Sequence, residues 1–388
     1  MAARAWFKPV VVSAPSKLIL HGEHAVVYGR TALAASLGMR THMTIEALSE
    51  RVQVDFPDIG VRKEWPLALI RQKLFPRRPP HLVPGEVDRV FTQVIHDFLG
   101  VSQGDLAHAS LICFFYLFSI ICDPGVGMAI HVRSEIPIGA GLGSSAALSV
   151  CLATGLLAIQ AEFQPKGCDT SRAAISDWAF LSEKILHGTP SGVDNAISTF
   201  GGLIRFAQGR IEVQERLPCL RILLVNTQVS RRTKDLVDRV RVQHAAHPRV
   251  IGPIFDAISG VSESALAILR ALEQDDTGAE EHYGQLAQLI EYNQQLLRTL
   301  NVSHASLDLI CAIALEFGLQ AKLTGAGGGG FAFVLLPPSI NEKSVLLIRD
   351  RLEERGFVCQ ETELGVEGVV IQPAQSSDSF ESQPISAS

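Results

Sequence analysis

The sequence lacks a strong charge of either sign. Charged residues make up 19% of its 388 residues, and the formal net charge is −6. Proteins that bind nucleic acid through its phosphates usually carry a basic surface, and this balance does not indicate one. We therefore expect no nucleic-acid partner, and an anionic substrate would need a local cation.

Cysteine pairs with the spacing of metal or redox sites are also missing. The seven cysteines are scattered through the chain, and no C-x-x-C motif occurs. Such usage is typical of reduced thiols in a cytosolic protein. The N-terminus shows no signal-peptide pattern, and the strongest apolar run, at 109–122, is too short to span a bilayer. We therefore expect a cytoplasmic protein without a membrane partner.

Length and composition favour two globular domains. Hydrophobic residues make up 47% of the chain, which is enough for each domain to bury a core. Patterns typical of strands and helices are mixed in both halves, and this predicts an α+β architecture. We place the domains at residues 1–218 and 219–373. The Ser-, Gln- and Pro-rich residues 374–388 are expected to be a disordered tail.

Hydrophobic periodicity predicts the main elements. A strand at 10–13 is expected to end in a turn at Pro15 and Ser16 before the apolar pattern resumes at 18–20. The patterns predict helices at residues 86–99, 109–122, 144–159 and 171–187. For the second half they predict several helices between 233 and 317, strands at 321–324 and 331–336, a helix at 341–355 and two final strands.

The most informative stretch is the run Gly-Ala-Gly-Leu-Gly-Ser-Ser at residues 139–145, which opens the helix predicted at 144–159. The free N–H groups and positive dipole end of a helix N-terminus bind anions, and glycines let the backbone approach a phosphate. The run matches neither a dinucleotide fingerprint nor a P-loop, because Ser144 replaces the third glycine and no G-K-[ST] follows. It indicates either a phosphate site or a plain strand-to-helix turn.

Three ionisable residues could carry chemistry near such a site. Lys17 lies between apolar segments, so its ammonium is expected to have a carboxylate or phosphate partner. Asp194 could be a base for a substrate hydroxyl, or the third residue of a capping box begun by Ser191. Glu183 by itself is predicted to be a surface carboxylate that supports His187, four residues later.

Two further segments combine polar or glycine residues with apolar surroundings. The run His-Gly-Glu-His at 21–24 matches no zinc pattern, so we interpret it as a polar turn that lines a substrate cavity. A purely structural turn is the alternative. The glycine cluster at 325–330 lies between apolar segments, which favours close packing against a ligand or against the first glycine loop. A flexible connection is the other interpretation.

Three of these segments resemble the motifs of the GHMP kinases, in the same order: P-S-K-L-I-L-H-G-E-H, G-A-G-L-G-S-S-A-A and K-L-T-G-A-G-G-G-G. Within that superfamily, residues 10–370 resemble mevalonate kinases of the animal type. The resemblance implies a ribosomal-S5-like N-terminal domain and a ferredoxin-like C-terminal domain with the active site between them. It also implies a homodimer that uses ATP and Mg²⁺ to phosphorylate the C5 hydroxyl of (R)-mevalonate.

The same resemblance implies roles for individual residues. Asp194 would be the catalytic base, and Lys17 would assist deprotonation of the hydroxyl. Ser145 and Glu183 would hold Mg²⁺. The substrate would lie near Glu23, His24, Thr233 and Ala326, and its carboxylate would need a cation such as Arg231, Arg232 or Lys234. The nucleotide would be bound by Ser134, Gly139, Ala140, Gly141, Leu142, Gly143, Ser144, Ser145, Gly327 and Gly328.

Three residues depart from the usual pattern of these kinases. Ser16 replaces a glycine, Ile138 replaces a proline, and Asp58 stands where relatives often carry an asparagine that faces the nucleotide. Contacts to adenosine at Asp58 therefore need a separate test.

Two alternatives remain open: another kinase of the superfamily, similar to galactokinase or homoserine kinase, and a non-catalytic regulator with the same fold. Loss of an active-site residue would indicate the regulator, but Lys17, Ser145, Glu183 and Asp194 are all present. Lys17-Leu18 together with His24-Ala25 also has the spacing of an internal peroxisomal signal. Because the same residues belong to the predicted site, we interpret that match as coincidence.

Overall fold

The computed structural model of this chain describes residues 7–79, 84, 86–100, 106–137, 139–164, 168–214, 217–274 and 278–373. The predicted tail at 374–388 and the departure at Ile138 lie outside these residues. The described strands are β1 (Val10–His21), β2 (Ala32–Leu48), β3 (Arg51–Phe56), β4 (Val61–Pro66), β5 (Gly127–Ser134), β6 (Leu203–Ala207), β7 (Arg210–Gln214), β8 (Leu220–Asn226), β9 (Ala321–Thr324), β10 (Phe331–Leu335), β11 (Val358–Leu364) and β12 (Val370–Pro373).

Helices separate these strands in both halves of the chain. They are α1 (Leu67–Lys73), α2 (Arg89–Leu99), α3 (Leu106–Ile121), α4 (Ser144–Phe163), α5 (Arg172–His187), α6 (Val193–Phe200), α7 (Thr233–Ala246), α8 (Pro248–Gln274), α9 (Ala279–Thr299), α10 (Ala305–Glu316) and α11 (Glu342–Glu353). Short 3₁₀ turns occur at Ala25–Tyr28, Pro57–Ile59 and Phe75–Arg77.

The strands form one sheet in which the order β4-β3-β5-β2-β11-β8-β10-β9 can be followed from edge to edge. The part of the sheet beyond β2 in this order consists of β11, β8, β10 and β9. In chain order it contains β8, helices, β9, β10, α11 and β11, and its spatial order is that of the ferredoxin-like arrangement. The two halves meet where Leu364 of β11 pairs with Leu37 of β2. Because the sheet is continuous and β12 returns to pair with β1, the division at 218/219 stays a prediction.

The central helix α4 holds the first half together. It packs on β1 and β2 and is flanked by α3, α5 and α6. By length and composition, α4 and α8 could each span a membrane. In α4, however, 72% of the apolar stretch is buried inside the protein. An all-round apolar helix of this kind is the expected centre of a large core. A second core lies between β8, β10, α10 and α11.

Most predicted elements are confirmed, and their ends follow the expected capping chemistry. The helix predicted at 86–99 is α2, which ends before Gly100 in the left-handed region (φ 61°). The helix predicted at 171–187 is α5, and the hydroxyl of its N-cap Ser171 accepts a hydrogen bond from the N–H of Ala174 at 3.2 Å. The helix predicted at 109–122 is the buried α3.

The turn predicted at Pro15 and Ser16 is wrong. Strand β1 runs without interruption from Val10 to His21, and its register against β2 shifts by a bulge between Pro15 and Ser16. A bulge accommodates the proline because it already interrupts the regular ladder of hydrogen bonds. Lys17 lies just after the bulge, in a strand that packs against α4 and α6.

Candidate active site

Lys17 of β1 and Asp194 in the first turn of α6 form an ion pair. Lys17 Nζ lies 3.3 Å from Asp194 Oδ1, and the two side chains are 13% and 37% exposed. Helix α6 begins after Gly192, which is its N-cap, so the capping box considered for Ser191 and Asp194 does not form. The Asp194 carboxylate therefore faces Lys17 and remains within reach of a small substrate.

The first glycine loop, residues 139–145, passes directly over Lys17. The N–H of Lys17 donates a hydrogen bond to the carbonyl of Leu142 at 2.9 Å. Gly143 is left-handed (φ 81°), and a Cβ there would lie 2.9 Å from Lys17 Cγ. Gly143 is also the N-cap of α4, and no side chain caps that helix. The uncapped N–H groups beside an ammonium favour the anion site over a plain turn.

Glu183 lies beneath this loop and is not the surface carboxylate that was predicted. Its side chain is 5% exposed, and its Oε1 accepts a hydrogen bond from Ser149 Oγ at 3.4 Å. Burial, assisted by the negative charge of Asp194, raises the pKa of Glu183 to about 7. His187 Nε2 lies 4.0 Å from Glu183 Oε2 and 3.1 Å from Ser145 Oγ. The sequence reasoning gave His187 no part in the site.

The donor set around Glu183 suits a magnesium ion. Mg²⁺ prefers oxygen ligands and is commonly held by one or two carboxylates together with substrate phosphates. Ser145 and Glu183 offer a hydroxyl and a carboxylate, and a cation there would offset the buried negative charge. In the described part of the chain, no cluster of three or more His, Cys, Asp or Glu side chains could hold a metal by itself.

A cavity of about 170 Å³ adjoins the first glycine loop and has mostly apolar walls. It is lined by Thr41, Phe56, Asp58, Ile59, Leu106, Ala109, Ser110, Val132, Ser134, Ile136, Ser144, Ser145, Leu148, Leu186 and His187. Ser134 donates its N–H to Asp58 Oδ2 at 2.7 Å, which holds both residues at the cavity wall. An apolar cavity beside a phosphate loop is suited to a nucleobase.

Arg231 connects the two glycine segments. Its Nη1 donates a hydrogen bond to the carbonyl of Gly329 at 2.7 Å, and its Nη2 reaches the carbonyl of Ala140 at 3.5 Å. The guanidinium lies flush against Gly330, where a Cβ would overlap it. The neighbouring Arg232, Thr233 and Lys234 are exposed. Of the three cations proposed from the sequence, Arg231 is therefore the one that contacts both loops.

The second glycine segment, residues 325–330, is packed rather than flexible. The N–H of Gly328 donates to the carbonyl of Val302 at 2.8 Å, and Gly327 lies so close to the same carbonyl that a Cβ would overlap it. The amide of Gly328 is therefore used inside the protein and is not available to bind a phosphate, contrary to the expectation for this residue. Because Gly327 and Gly328 have no side chain, the backbone can pack closely against its neighbours at these two positions.

The turn at residues 22–24 contacts the second glycine segment, but Glu23 does not face the cleft. Glu23 and Lys322 form an ion pair with both side chains fully buried, and Asn293 Nδ2 donates to Glu23 Oε2 at 3.1 Å. Burial raises the pKa of Glu23 and lowers that of Lys322, although each charge opposes the effect on its partner. The expected substrate contact of Glu23 is therefore not direct.

His24 and Ala326, which were both expected near the substrate, contact each other. His24 is left-handed (φ 62°), and its Nε2 lies 2.9 Å from the carbonyl oxygen of Ala326. Sequence reasoning missed Lys322 and Asn293. The available signal was a lysine in the middle of the short apolar strand Ala-Lys-Leu-Thr of β9, where an unpaired charge is rare.

Two family models match the chain. "GHMP kinases N terminal domain" covers residues 109–202, and "GHMP kinases C terminal" covers residues 268–356. The mevalonate kinase of Bos taurus is 40% identical over 95% of this chain and 96% of its own length. These matches confirm the predicted α+β GHMP kinase fold.

Solved structures agree on the fold. The mevalonate kinase of Methanococcus jannaschii has a TM-score of 0.68 at 23% identity, covering 93% of this chain and 98% of that one. The L. major mevalonate kinase in complex with R-mevalonate has a TM-score of 0.64 at 22% identity, covering 92% and 96%. The sequence matches over nearly the whole length, together with the glycine loops and the Lys17–Asp194 pair, show that this chain belongs to the mevalonate kinase family of the GHMP kinases.

Proposed function

We propose that this enzyme transfers the γ-phosphoryl group of ATP to the C5 hydroxyl of (R)-mevalonate, giving 5-phosphomevalonate and ADP. The observation that carries the proposal is the Lys17–Asp194 pair, held at 3.3 Å beside the uncapped N-terminus of α4. Phosphoryl transfer depends chiefly on positioning the reactants and on neutralising charge. The site offers a carboxylate for the hydroxyl proton and cationic groups for the phosphates.

In this mechanism Asp194 accepts the proton of the C5 hydroxyl as the oxygen attacks the γ-phosphorus. Lys17 lies beside the same carboxylate and stabilises the negative charge that develops on the attacking oxygen. The first glycine loop binds the phosphates through backbone N–H groups, while Arg231 adds a positive charge where the two glycine segments meet. His24 and Thr233 are proposed to line the mevalonate side.

Ser145 and Glu183 are proposed to hold Mg²⁺, which would neutralise phosphate charge and orient the triphosphate. Glu183 is buried beside the negative charge of Asp194, so a divalent cation would favour its ionised form. The cavity next to Ser134 would take the nucleobase, with Asp58 at its wall. The carboxylate at position 58 accepts hydrogen bonds only, so we expect it to contact a donor group of the base.

An assay of ADP release tests the proposed reaction. Purified enzyme with ATP and Mg²⁺ is offered mevalonate, galactose and homoserine separately, and phosphorylated product is identified by mass. Turnover is expected with mevalonate at a rate at least about a hundred times that with the other two, since each needs a differently placed set of polar groups. Preferred turnover of galactose or homoserine, or none at all, would contradict the proposal.

We also propose that the enzyme acts as a homodimer in the cytoplasm. The homodimer follows from the resemblance to the family, and light scattering of the purified protein tests it. The seven cysteines are free thiols, as is usual in a reducing compartment. Leu18, His24 and Ala25, which match an internal peroxisomal signal, are buried and so are inaccessible to a receptor in the folded protein. Cell fractionation distinguishes the two compartments.

A further inference from the structure

Lys322 has no assigned role, yet it is one of the least expected side chains in the molecule. It lies in β9, is fully buried, and pairs with Glu23 from the turn at residues 22–24. Its ammonium also donates to the carbonyl of Leu323 at 2.7 Å and lies 5.3 Å from the ring centroid of Phe333. Asn293 binds the second oxygen of Glu23. Both charges are therefore well coordinated.

A buried ion pair of this kind is weak support for stability. Removing two charges from water is costly, and apolar replacements of similar volume are often equally stable or more so. Where such a pair occurs, a role in fixing one arrangement of the chain is the better explanation.

The pair belongs to a set of three bonds between the same two segments. Residues 19–24 of the first half and residues 322–326 of the second are joined by Lys322–Glu23, by Thr324 Oγ1 donating to the carbonyl of Ile19 at 2.9 Å, and by His24 Nε2 with the carbonyl of Ala326 at 2.9 Å. We call this set the β1–β9 clamp. Each bond links a residue of one half of the chain to a residue of the other.

The clamp lies between the Lys17–Asp194 pair and the second glycine segment. On one side the chain continues back to Lys17, whose ammonium pairs with Asp194. On the other side it continues into the glycine segment 325–330, which Arg231 connects to the first glycine loop. A displacement of β9 against β1 would therefore move the second glycine segment relative to the reacting pair.

We propose that Lys322, acting through Glu23, is a positioning residue that aligns the second glycine segment with the Lys17–Asp194 pair for phosphoryl transfer. The inference rests on the proposed function and deepens it. Lys322 touches neither reactant. A displacement of about 1 Å at a reacting centre is enough to reduce turnover about a hundredfold, so the loss of the clamp should act on kcat.

The test uses the full-length double variant Lys322→Met/Glu23→Gln, which removes both charges and keeps similar volumes. We expect it to unfold at a temperature close to that of the wild type, because no unpaired charge is left in the core. We expect kcat on mevalonate to fall about tenfold or more, with KM for ATP and for mevalonate changing much less. A folded double variant whose kcat lies within about twofold of the wild type would overturn the proposal.

The control is another ion pair that joins the two halves. Arg205 of β6 binds Glu263 of α8, with Nη2 2.6 Å from Oε1, outside the catalytic site. Arg205→Met is expected to lower the unfolding temperature and leave kcat within about twofold of the wild type. If it lowers kcat as much as the double variant does, the effect is general weakening of the structure and the inference fails.

Thr324→Val covers the case in which the double variant does not fold. This variant removes another bond of the clamp, from Thr324 Oγ1 to the carbonyl of Ile19, and leaves no unpaired charge in the core, so kcat should fall by a smaller factor while the KM values hold. Wild-type kcat in this variant would count against the proposal. The wild-type rate on mevalonate tests the proposed function, whereas the ratio of variant to wild-type rates tests this inference, so the two failures are distinguishable.

Discussion

Two lysine–carboxylate pairs of this molecule use the same chemical groups in different surroundings. Lys17 and Asp194 meet at 3.3 Å, are partly exposed, and lie beside the open N-terminus of α4. Lys322 and Glu23 are fully buried and are further bonded to Leu323 and Asn293. A pair with access to the cleft can exchange a proton with a substrate, whereas a sealed pair can only hold chain segments together. Exposure, rather than residue type, separates the two roles.

The largest expected difference between the pairs is in stability. Lys322→Met leaves the Glu23 carboxylate buried without its cation, and breaking such a pair costs about 3–5 kcal/mol. Lys17→Met removes a partly exposed pair, for which the change in the free energy of unfolding should stay below about 1 kcal/mol. Urea unfolding of both variants measures this difference. Equal losses in the free energy of unfolding would contradict the different roles of the two pairs.

The second difference is in catalysis and goes the other way. Lys17→Met should reduce kcat about a hundredfold, because a preorganised cation near the attacking oxygen is lost. The exposed Lys343 of α11 provides a control, and Lys343→Met should turn over at the wild-type rate. Steady-state assays on mevalonate compare the two, and a similar kcat in both variants would remove Lys17 from the mechanism.

Glu183 sharpens the comparison because it is a buried carboxylate that forms no direct ion pair with a lysine in the described residues, although the charge of Lys17 partly opposes the rise of its pKa. Its pKa is raised to about 7, so between about pH 4.5 and 7 the native state binds a proton that the unfolded state has released. Stability therefore falls as the pH rises through this range. Without Mg²⁺, Glu183→Gln should be more stable than the wild type by about 1–3 kcal/mol at pH 8 and almost equal at pH 5.

The same variant should lose most of its turnover, because an amide replaces the proposed metal ligand. Thermal unfolding at the two pH values, followed by an activity assay with Mg²⁺, measures both effects. A Glu183→Gln variant that is less stable than the wild type at pH 8 would contradict the raised pKa.

Local pattern predicted much of the fold. The periodicity of α4 and the caps at Ser171 and Gly100 depend on neighbours in sequence, and these elements appeared where expected. The turn at Pro15 and Ser16 failed because pairing with β2 carries the strand through a bulge. Tertiary pairing of this kind is invisible in a short window of sequence.

The sequence predicted which residues belong to the candidate site, but not all of the contacts that they make. The resemblance brought Lys17, Asp194 and Ser145 into one site, and the structure places them around the first glycine loop. The resemblance did not reveal that Glu23 forms a buried ion pair with Lys322, because the two residues lie 299 positions apart in the sequence. Contacts across such separations depend on how the two halves of the sheet meet.

We propose that Lys17 and Asp194 act as one unit at the reacting hydroxyl, and a double-mutant cycle in kcat tests this role most directly. Asp194→Asn alone should lower kcat about a thousandfold, with ATP binding nearly unchanged. If the pair acts as a unit, the double variant Lys17→Met/Asp194→Asn should be little slower than Asp194→Asn alone. Losses that multiply across the two substitutions would show independent roles and contradict the account.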